Sequence, residues 1–386
     1  MTLSWADRLD QRLDLIRHEG RWREYRDFDA WGPHGTLTAS GAHVVSFASN
    51  DYLGLSVHPQ VIAAAHGALD RWGTGAGGSR LVTGARPVHR ELEAELADWK
   101  DTERAVLFPT GFAANLGVLT ALGTAGVHVV SDSRNHASII DGTRLAKASV
   151  SIWRHDDLDE LERLVNGGDA PTLIVADSVF SMDGDLLDVA AVASLCRRTG
   201  ALLVLDEAHA VLGPHPTPAE LAGVEVVRVG TLSKTLGSLG GFVACSHHVA
   251  DLLVNVARSG IFTTAPTPAD TAAALAALRV VRSEEGHELV ATLQSHVNRI
   301  RPGHPSPIIP IVLGDEQRAL DATTRLLEQG LLVPAIRPPT VAPGTSRLRV
   351  TLSAAHLTED VERLAAALAA LPASAEPVPE PVAARG

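Results

Sequence analysis

Short apolar runs alternate with helical periods through the middle of the chain. The runs fall at residues 105–108, 127–130, 173–176, 202–205, 226–229 and 241–244. Between them, apolar residues recur every three to four positions over 91–100, 112–122, 156–165 and 189–199. Runs of four or so apolar residues suit buried strands, and the longer periodic stretches suit helices. Repeated strand–helix units predict an α/β fold whose central sheet is mostly parallel and covered by helices, with ligands at the carboxyl ends of the strands.

This pattern occupies residues 46–270. Before it, residues 1–45 read as an arm: an amphipathic stretch with Trp5, Leu9, Leu13 and Ile16 on one face, then a turn-rich segment around Trp31-Gly32-Pro33. After it, a long alanine-rich helix over 268–300 is expected to lead into a smaller α+β unit at 271–372. Strands are expected there at 308–313, 331–336 and 347–352, with helices at 316–329 and 358–371. Residues 373–386 are proline-rich and acidic and predict a disordered tail.

Bulk properties exclude several classes. The net charge of −12 over 386 residues argues against a nucleic-acid surface, which needs a basic face. No run of about 18 uncharged apolar residues exists to cross a membrane, and the N-terminal stretch lacks the apolar core of a secretory signal. Cys196 and Cys245 form no cysteine framework, which predicts a reducing cytoplasm and core packing for both thiols. No metal-ligand motif is recognisable.

Lys234 is one of three lysines and lies in Gly230-Thr231-Leu232-Ser233-Lys234-Thr235-Leu236-Gly237, directly after the 226–229 run. Asp206-Glu207-Ala208-His209 follows the 202–205 run in the same way. A lysine, an aspartate and a histidine at neighbouring strand ends can hold pyridoxal phosphate. The lysine supplies an imine, the aspartate a charge for the ring nitrogen, and the histidine a hydrogen bond to the ring hydroxyl. Asp132 and Asp177 also end apolar runs, so position alone does not single out Asp206; its companion His209 does. His136 follows the strand that ends near Asp132, where its ring could stack on an aromatic cofactor. Thr110-Gly111-Phe112 opens a helix and offers free N–H groups to a phosphate.

Other readings are weaker. Asp206 to His209 spells a helicase-type box, but no Gly-x-x-x-x-Gly-Lys-Ser/Thr loop accompanies it. Gly73 to Gly78 matches a dinucleotide fingerprint in letters, yet the residues before it have helical rather than strand character. Thr231 to Lys234 departs from a Ser-x-x-Lys acyl-enzyme motif at its first position.

Taken together, the motifs resemble the α-oxoamine synthases, fold-type-I pyridoxal-phosphate transferases. The resemblance rests on Ser49-Asn50-Asp51-Tyr52-Leu53-Gly54-Leu55, Gly77-Gly78-Ser79-Arg80 with Thr83-Gly84, and Val179-Phe180-Ser181-Met182-Asp183-Gly184-Asp185. It continues through Asp206-Glu207-Ala208-His209, Thr231-Leu232-Ser233-Lys234 and Arg347-Leu348-Arg349. Ile336-Arg337-Pro338-Pro339-Thr340-Val341 is similar to the branch that uses L-alanine and a pimeloyl thioester in biotin biosynthesis.

The resemblance implies a role for each residue. Lys234 would form the imine and move the proton, Asp206 would pair with the pyridine nitrogen, and His136 would stack on the ring. His209 and Ser181 would sit by the ring hydroxyl, while Gly111, Phe112 and Thr231 would hold the phosphate. Thr263 or Thr264 would reach the phosphate of a partner subunit, which implies a homodimer. Asn50 and Arg349 would meet the amino-acid carboxylate, Thr340 the substrate, and Arg23 the acyl donor. The implied activity is decarboxylative condensation of alanine with a pimeloyl group carried on coenzyme A or an acyl carrier protein. A glycine-using relative is the alternative within the family; an aminotransferase or a non-catalytic cofactor binder is the alternative outside it.

Overall fold

The computed structural model describes residues 3–371, so the tail expected at 373–386 lies outside the described residues. Seven strands form the central sheet in the order Arg104–Phe108, Gly241–Cys245, Val226–Thr231, Leu202–Asp206, Thr172–Asp177, His128–Asp132 and Ser149–Trp153. All run parallel except Gly241–Cys245, which is antiparallel to both neighbours. Successive side chains point to opposite faces, as strand geometry requires. Leu203 and Leu205 join Val192, Leu161 and Trp153 on one side, whereas Val204 joins Val118, Leu119 and Leu253 on the other. Each such leucine, fully buried, contributes about 1.5–3 kcal/mol. Burial on both faces explains why these strands read as continuous apolar runs rather than alternating ones.

A second unit holds the antiparallel strands Ile308–Gly314, Ser346–Thr351 and Ala335–Ile336. Ala319 and Leu326 of the helix Glu316–Glu328, and Val361 and Leu364 of Thr358–Ala369, pack with Leu348 and Val350. The alternate residues, Arg347 and Arg349, are also buried.

Three expectations change. The turn-rich segment of the arm instead forms strands Phe28–Trp31, His34–Leu37 and Ala42–Ser46, and the last pairs in parallel with Leu331–Leu332. The strand expected at 331–336 splits into Leu331–Leu332 and Ala335–Ile336, which belong to different sheets. Pro334 lies between them and has no N–H to continue a ladder. The long helix expected at 268–300 is two helices, Pro268–Val281 and Glu284–Ile300. Ser283 starts the second by accepting a hydrogen bond from the Gly286 N–H, and a Cβ on Gly286 would lie 2.3 Å from the Val280 carbonyl oxygen. The helix Trp5–His18 matches the amphipathic arm, but buries none of its residues.

Candidate active site

Four adjacent strands end on Thr231, Asp206, Asp177 and Asp132. Asp177 and Asp206 stand opposite each other in register. Lys234 lies three residues beyond its strand, in a turn closed by the Gly237 N–H donating to the Lys234 carbonyl at 2.9 Å. Gly237 has φ +56°, and a Cβ there would lie 2.3 Å from Ser56 N. The lysine turn therefore packs directly on the segment that carries Asn50 and Tyr52.

Lys234 Nζ lies 2.7 Å from His209 Nε2, and His209 Nδ1 meets the Tyr52 hydroxyl. Burial lowers the Lys234 amine to about 8, with Asp206 and Asp177 opposing the shift and Arg349 adding to it. Burial, with the Lys234, Arg349 and His136 charges, holds His209 well below the ordinary histidine value, so its ring is neutral. The Tyr52 hydroxyl also reaches Asn50 Oδ1 at 3.2 Å, which accepts from Arg349 Nη2 at 3.2 Å. Arg349 Nε donates to the Ser181 carbonyl oxygen at 2.6 Å and Nη1 to Thr351 Oγ1 at 2.9 Å. Lys234, His209, Tyr52, Asn50, Arg349 and Ser181 thus form one connected set.

Asp206 is only 5% exposed. Its Oδ2 accepts from Asn115 Nδ2 at 2.7 Å and its Oδ1 from the Ala208 N–H at 2.9 Å. Asn115 Nδ2 also donates to Ser138 Oγ, which bonds His136 Nδ1 at 2.7 Å. The His136 N–H donates to Asp177 Oδ2 at 2.7 Å. Burial, and then the Asp206 charge beside it, push the Asp177 carboxyl well above its ordinary value. Glu207, the next residue after Asp206, serves a different cluster. Its carboxylate meets Lys100 Nζ at 2.7 Å and Arg228 Nη2 at 2.6 Å, all three side chains being buried.

The helix Gly111–Leu122 begins beside this network, with Thr110 Oγ1 accepting from the Ala113 N–H. The N–H groups of Gly111 and Phe112 belong to the first turn, which has no intrahelical acceptors. A Cβ on Gly241 would lie 2.5 Å from Gly111 N, and one on Gly111 would lie 3.2 Å from Thr231 Cβ. Small residues therefore keep the backbone cradle close to Thr231. The Phe112 and His136 rings meet edge-on at 6.4 Å, joining the cradle to the Asp206 network.

Other expected residues lie outside these contacts. Arg23 is exposed after the first helix, and Thr340 is exposed in the turn following Pro338-Pro339. Thr263 and Thr264 follow the short helix Arg258–Ile261, half-buried and exposed respectively. Sequence reasoning missed Asn115. Its signal was a single amide in an otherwise mostly apolar and uncharged helix, where a buried polar group demands a partner. It also gave Tyr52 no role, because nothing in the sequence brings it to His209.

A lysine of lowered proton affinity, a buried acid and a helix-start anion cradle, all at the carboxyl ends of a mainly parallel sheet, define a pyridoxal-phosphate enzyme of fold type I. The aminotransferase class I and II family matches residues 42–368. The 8-amino-7-oxononanoate synthase of Burkholderia thailandensis is 46% identical over 382 residues, covering 93% of this chain and 96% of that protein. Among solved structures, Sphingomonas wittichii serine palmitoyltransferase superposes with a TM-score of 0.86 at 30% identity, covering 95% of this chain and 97% of that one. The 8-amino-7-oxononanoate synthase of Francisella tularensis gives 0.71 at 25% identity, covering 84% and 96%. A further serine palmitoyltransferase, 28% identical with a TM-score of 0.86, is described with pyridoxal phosphate bound. The chain belongs to the aminotransferase class I and II family, and within it to the α-oxoamine synthases.

Proposed function

We propose that the protein condenses L-alanine with a pimeloyl thioester, on coenzyme A or an acyl carrier protein, to give 8-amino-7-oxononanoate, CO2 and free thiol in biotin biosynthesis. The observation that carries the chemistry is the Lys234 amine, lowered to about 8 and held 2.7 Å from a neutral His209, with Arg349 on the same hydrogen-bonded network. The relatives named 8-amino-7-oxononanoate synthase support the choice of substrates.

The residues present fit pyridoxal phosphate. Lys234 would join its aldehyde, Asp206 would face its ring nitrogen, and His136 would lie on the ring. Ser181 and His209 would sit beside the ring hydroxyl, and Gly111, Phe112 and Thr231 would take the phosphate. When bound, the cofactor supplies an electron sink for the charge left on the α-carbon of the amino acid.

Arg349 and Asn50 orient the alanine carboxylate; a guanidinium suits this because it can donate two parallel hydrogen bonds. Lys234, part neutral near pH 8, takes the α-proton, and its pKa near the working pH makes that transfer efficient. His209 accepts at Nε2 and keeps the amine aimed, while Tyr52 fixes the His209 ring through Nδ1. Asn115 holds the Asp206 carboxylate in place, so its charge needs no reorganisation. The α-carbon then bonds to the thioester carbonyl carbon as the thiol departs. The carboxylate leaves as CO2, and Lys234 returns a proton to the carbon.

A homodimer completes the reading. A cavity of about 760 Å³ lies away from Lys234 and is lined by Arg80, Leu81, Glu93 and Ile261. Val82 and Phe262, chain neighbours of that lining, are 78% and 71% exposed. Covering this surface with a second copy would bring Thr263 or Thr264 toward the partner's phosphate, with Thr340 left for the substrate and Arg23 for the acyl donor. We place the reaction in the cytoplasm: both cysteines are free and buried, and no described helix is long and apolar enough to cross a membrane. The test follows thiol release from purified protein with alanine or glycine against several acyl thioesters. Alanine with the pimeloyl donor should win; preference for glycine with an acetyl donor overturns the assignment.

A further inference from the structure

His155 lies outside the residues assigned above, just past the strand Ser149–Trp153. Its side chain is only 6% exposed and sits between carboxylates: Nδ1 is 3.1 Å from Asp132 Oδ2, and Nε2 is 2.8 Å from Asp185 Oδ2. An imidazole with a carboxylate at each nitrogen satisfies both as donors only when it is protonated. Asp156 reaches the same Nε2 at 3.4 Å, and the Phe180 ring packs edge-on at 4.2 Å.

Asp185 belongs to a tight loop. The Phe180 N–H donates to the Asp185 carbonyl, the Gly184 N–H donates to the Phe180 carbonyl, and Val179 bridges Leu186. The loop touches both units of the chain. On one side, His155 and Arg134 hold it to the carboxyl end of the central sheet, Arg134 lying 3.4 Å from Asp185 and 3.6 Å from Asp183. On the other, Asp183 pairs with Arg347 and the Ser181 carbonyl accepts from Arg349 Nε. A Cβ on Gly184 would lie 2.0 Å from the Ile308 carbonyl oxygen, so the loop also abuts the strand Ile308–Gly314.

We propose that protonated His155 is a positioning residue: it clamps the 180–185 loop so that the Ser181 carbonyl holds the Arg349 guanidinium in place for the amino-acid carboxylate. Burial opposes charge on the ring, but hydrogen bonds to Asp132 and Asp185 outweigh it and raise the imidazole to about 9. The groups facing it are Asp132 from the neighbouring strand, Asp156 from its own turn, and Asp185 with Asp183 and Arg134 around the loop. His304 also lies near Asp185, and its Nε2 is 2.6 Å from the Ile308 carbonyl oxygen. A folded value above the unfolded one means that the clamp is complete below about pH 6.5 in stability terms and is lost as pH rises through about 9.

The inference rests on the proposed meeting of Arg349 with an amino-acid carboxylate, so its test reads amino-acid binding without any acyl donor. The dissociation constant for L-alanine is measured on the cofactor-loaded protein, from the absorbance change on saturation, between pH 7 and 9.5. His155→Gln should raise it about tenfold at pH 7, and the variant-to-wild-type ratio should fall toward one above pH 9, as the wild-type ring loses its own proton. Groups common to both proteins cancel in that ratio. Asp185→Asn should weaken binding in the same direction and serves if the histidine variant does not fold. Leu161→Ala, in the core beside this sheet end, should lower Tm and leave binding unchanged. A ratio within twofold at pH 7, or one that stays constant to pH 9.5, overturns the proposal; so does an Asp185→Asn protein that binds alanine like wild type. Wild-type protein that binds alanine yet releases no thiol would refute the proposed reaction and leave the clamp standing.

Discussion

Replacing Asp206 with Asn changes charge and almost nothing in shape. The Asp206 oxygens accept from Asn115 Nδ2 and from the Ala208 N–H. An amide can keep one of these bonds, but its NH2 group must then face a second donor. That mismatch should cost about 1–3 kcal/mol of stability, which lowers Tm and leaves a folded protein. The functional loss should be larger. Taking one partner from a buried charge pair typically costs about 3–5 kcal/mol; at about 1.36 kcal/mol per tenfold, turnover should fall by roughly two to four powers of ten. The Asp206 charge also raises the proton affinity of Lys234, so its loss should move the Lys234 titration below about 8 and shift the acid limb of the pH–rate profile downward. Thiol release with alanine and a pimeloyl thioester, measured from pH 6 to 9 on cofactor-saturated protein, reads both effects. Turnover within tenfold of wild type, with cofactor bound and the limb unmoved, would refute the assignment of this acid to the ring nitrogen.

Lys234→Ala should stay folded while losing both the near-visible imine absorbance and turnover; an active variant refutes its role. Glu207→Gln should destabilise by about 3–5 kcal/mol, because Lys100 and Arg228 lose the one carboxylate they share in the interior. Denaturant unfolding checks this, and a change under about 1 kcal/mol would show that the cluster is not held by charge. Burial opposes ionisation of Glu207, but Lys100 and Arg228 outweigh it and hold its carboxyl below the ordinary 4.5. Its contribution is therefore present above that unfolded value and lost as pH falls through the lower folded one.

What could be read in the sequence follows how local each signal is. The strands ending at Asp206 and Thr231 announced themselves as apolar runs, because burial on both faces demands it, and the strand-end rule carried Lys234 and Asp206 to one place. The helix break at Ser283 was visible only as a weak cap signal inside an alanine-rich pattern that reads as continuous. The split at Pro334 was hidden because both halves of the apolar run are strands. Asn115 and Tyr52 owe their importance to partners 91 and 157 positions away, a distance at which periodicity is silent. Arg23 and Thr340 were matched by motif alone, and no hydrogen bond of the network reaches them.

The pairing of Ala42–Ser46 with Leu331–Leu332 has a consequence for biosynthesis. The hairpin leaves the ribosome well before its parallel neighbour is made, and before His356, which binds the Ser46 carbonyl from 310 positions away. At typical translation speeds of about 5–20 residues per second, that edge waits roughly 15 to 60 s for its neighbour. An unpaired edge exposed for so long invites association between nascent chains. Yield during overexpression should therefore depend on chaperone supply and on temperature more than the stability of the finished molecule would suggest.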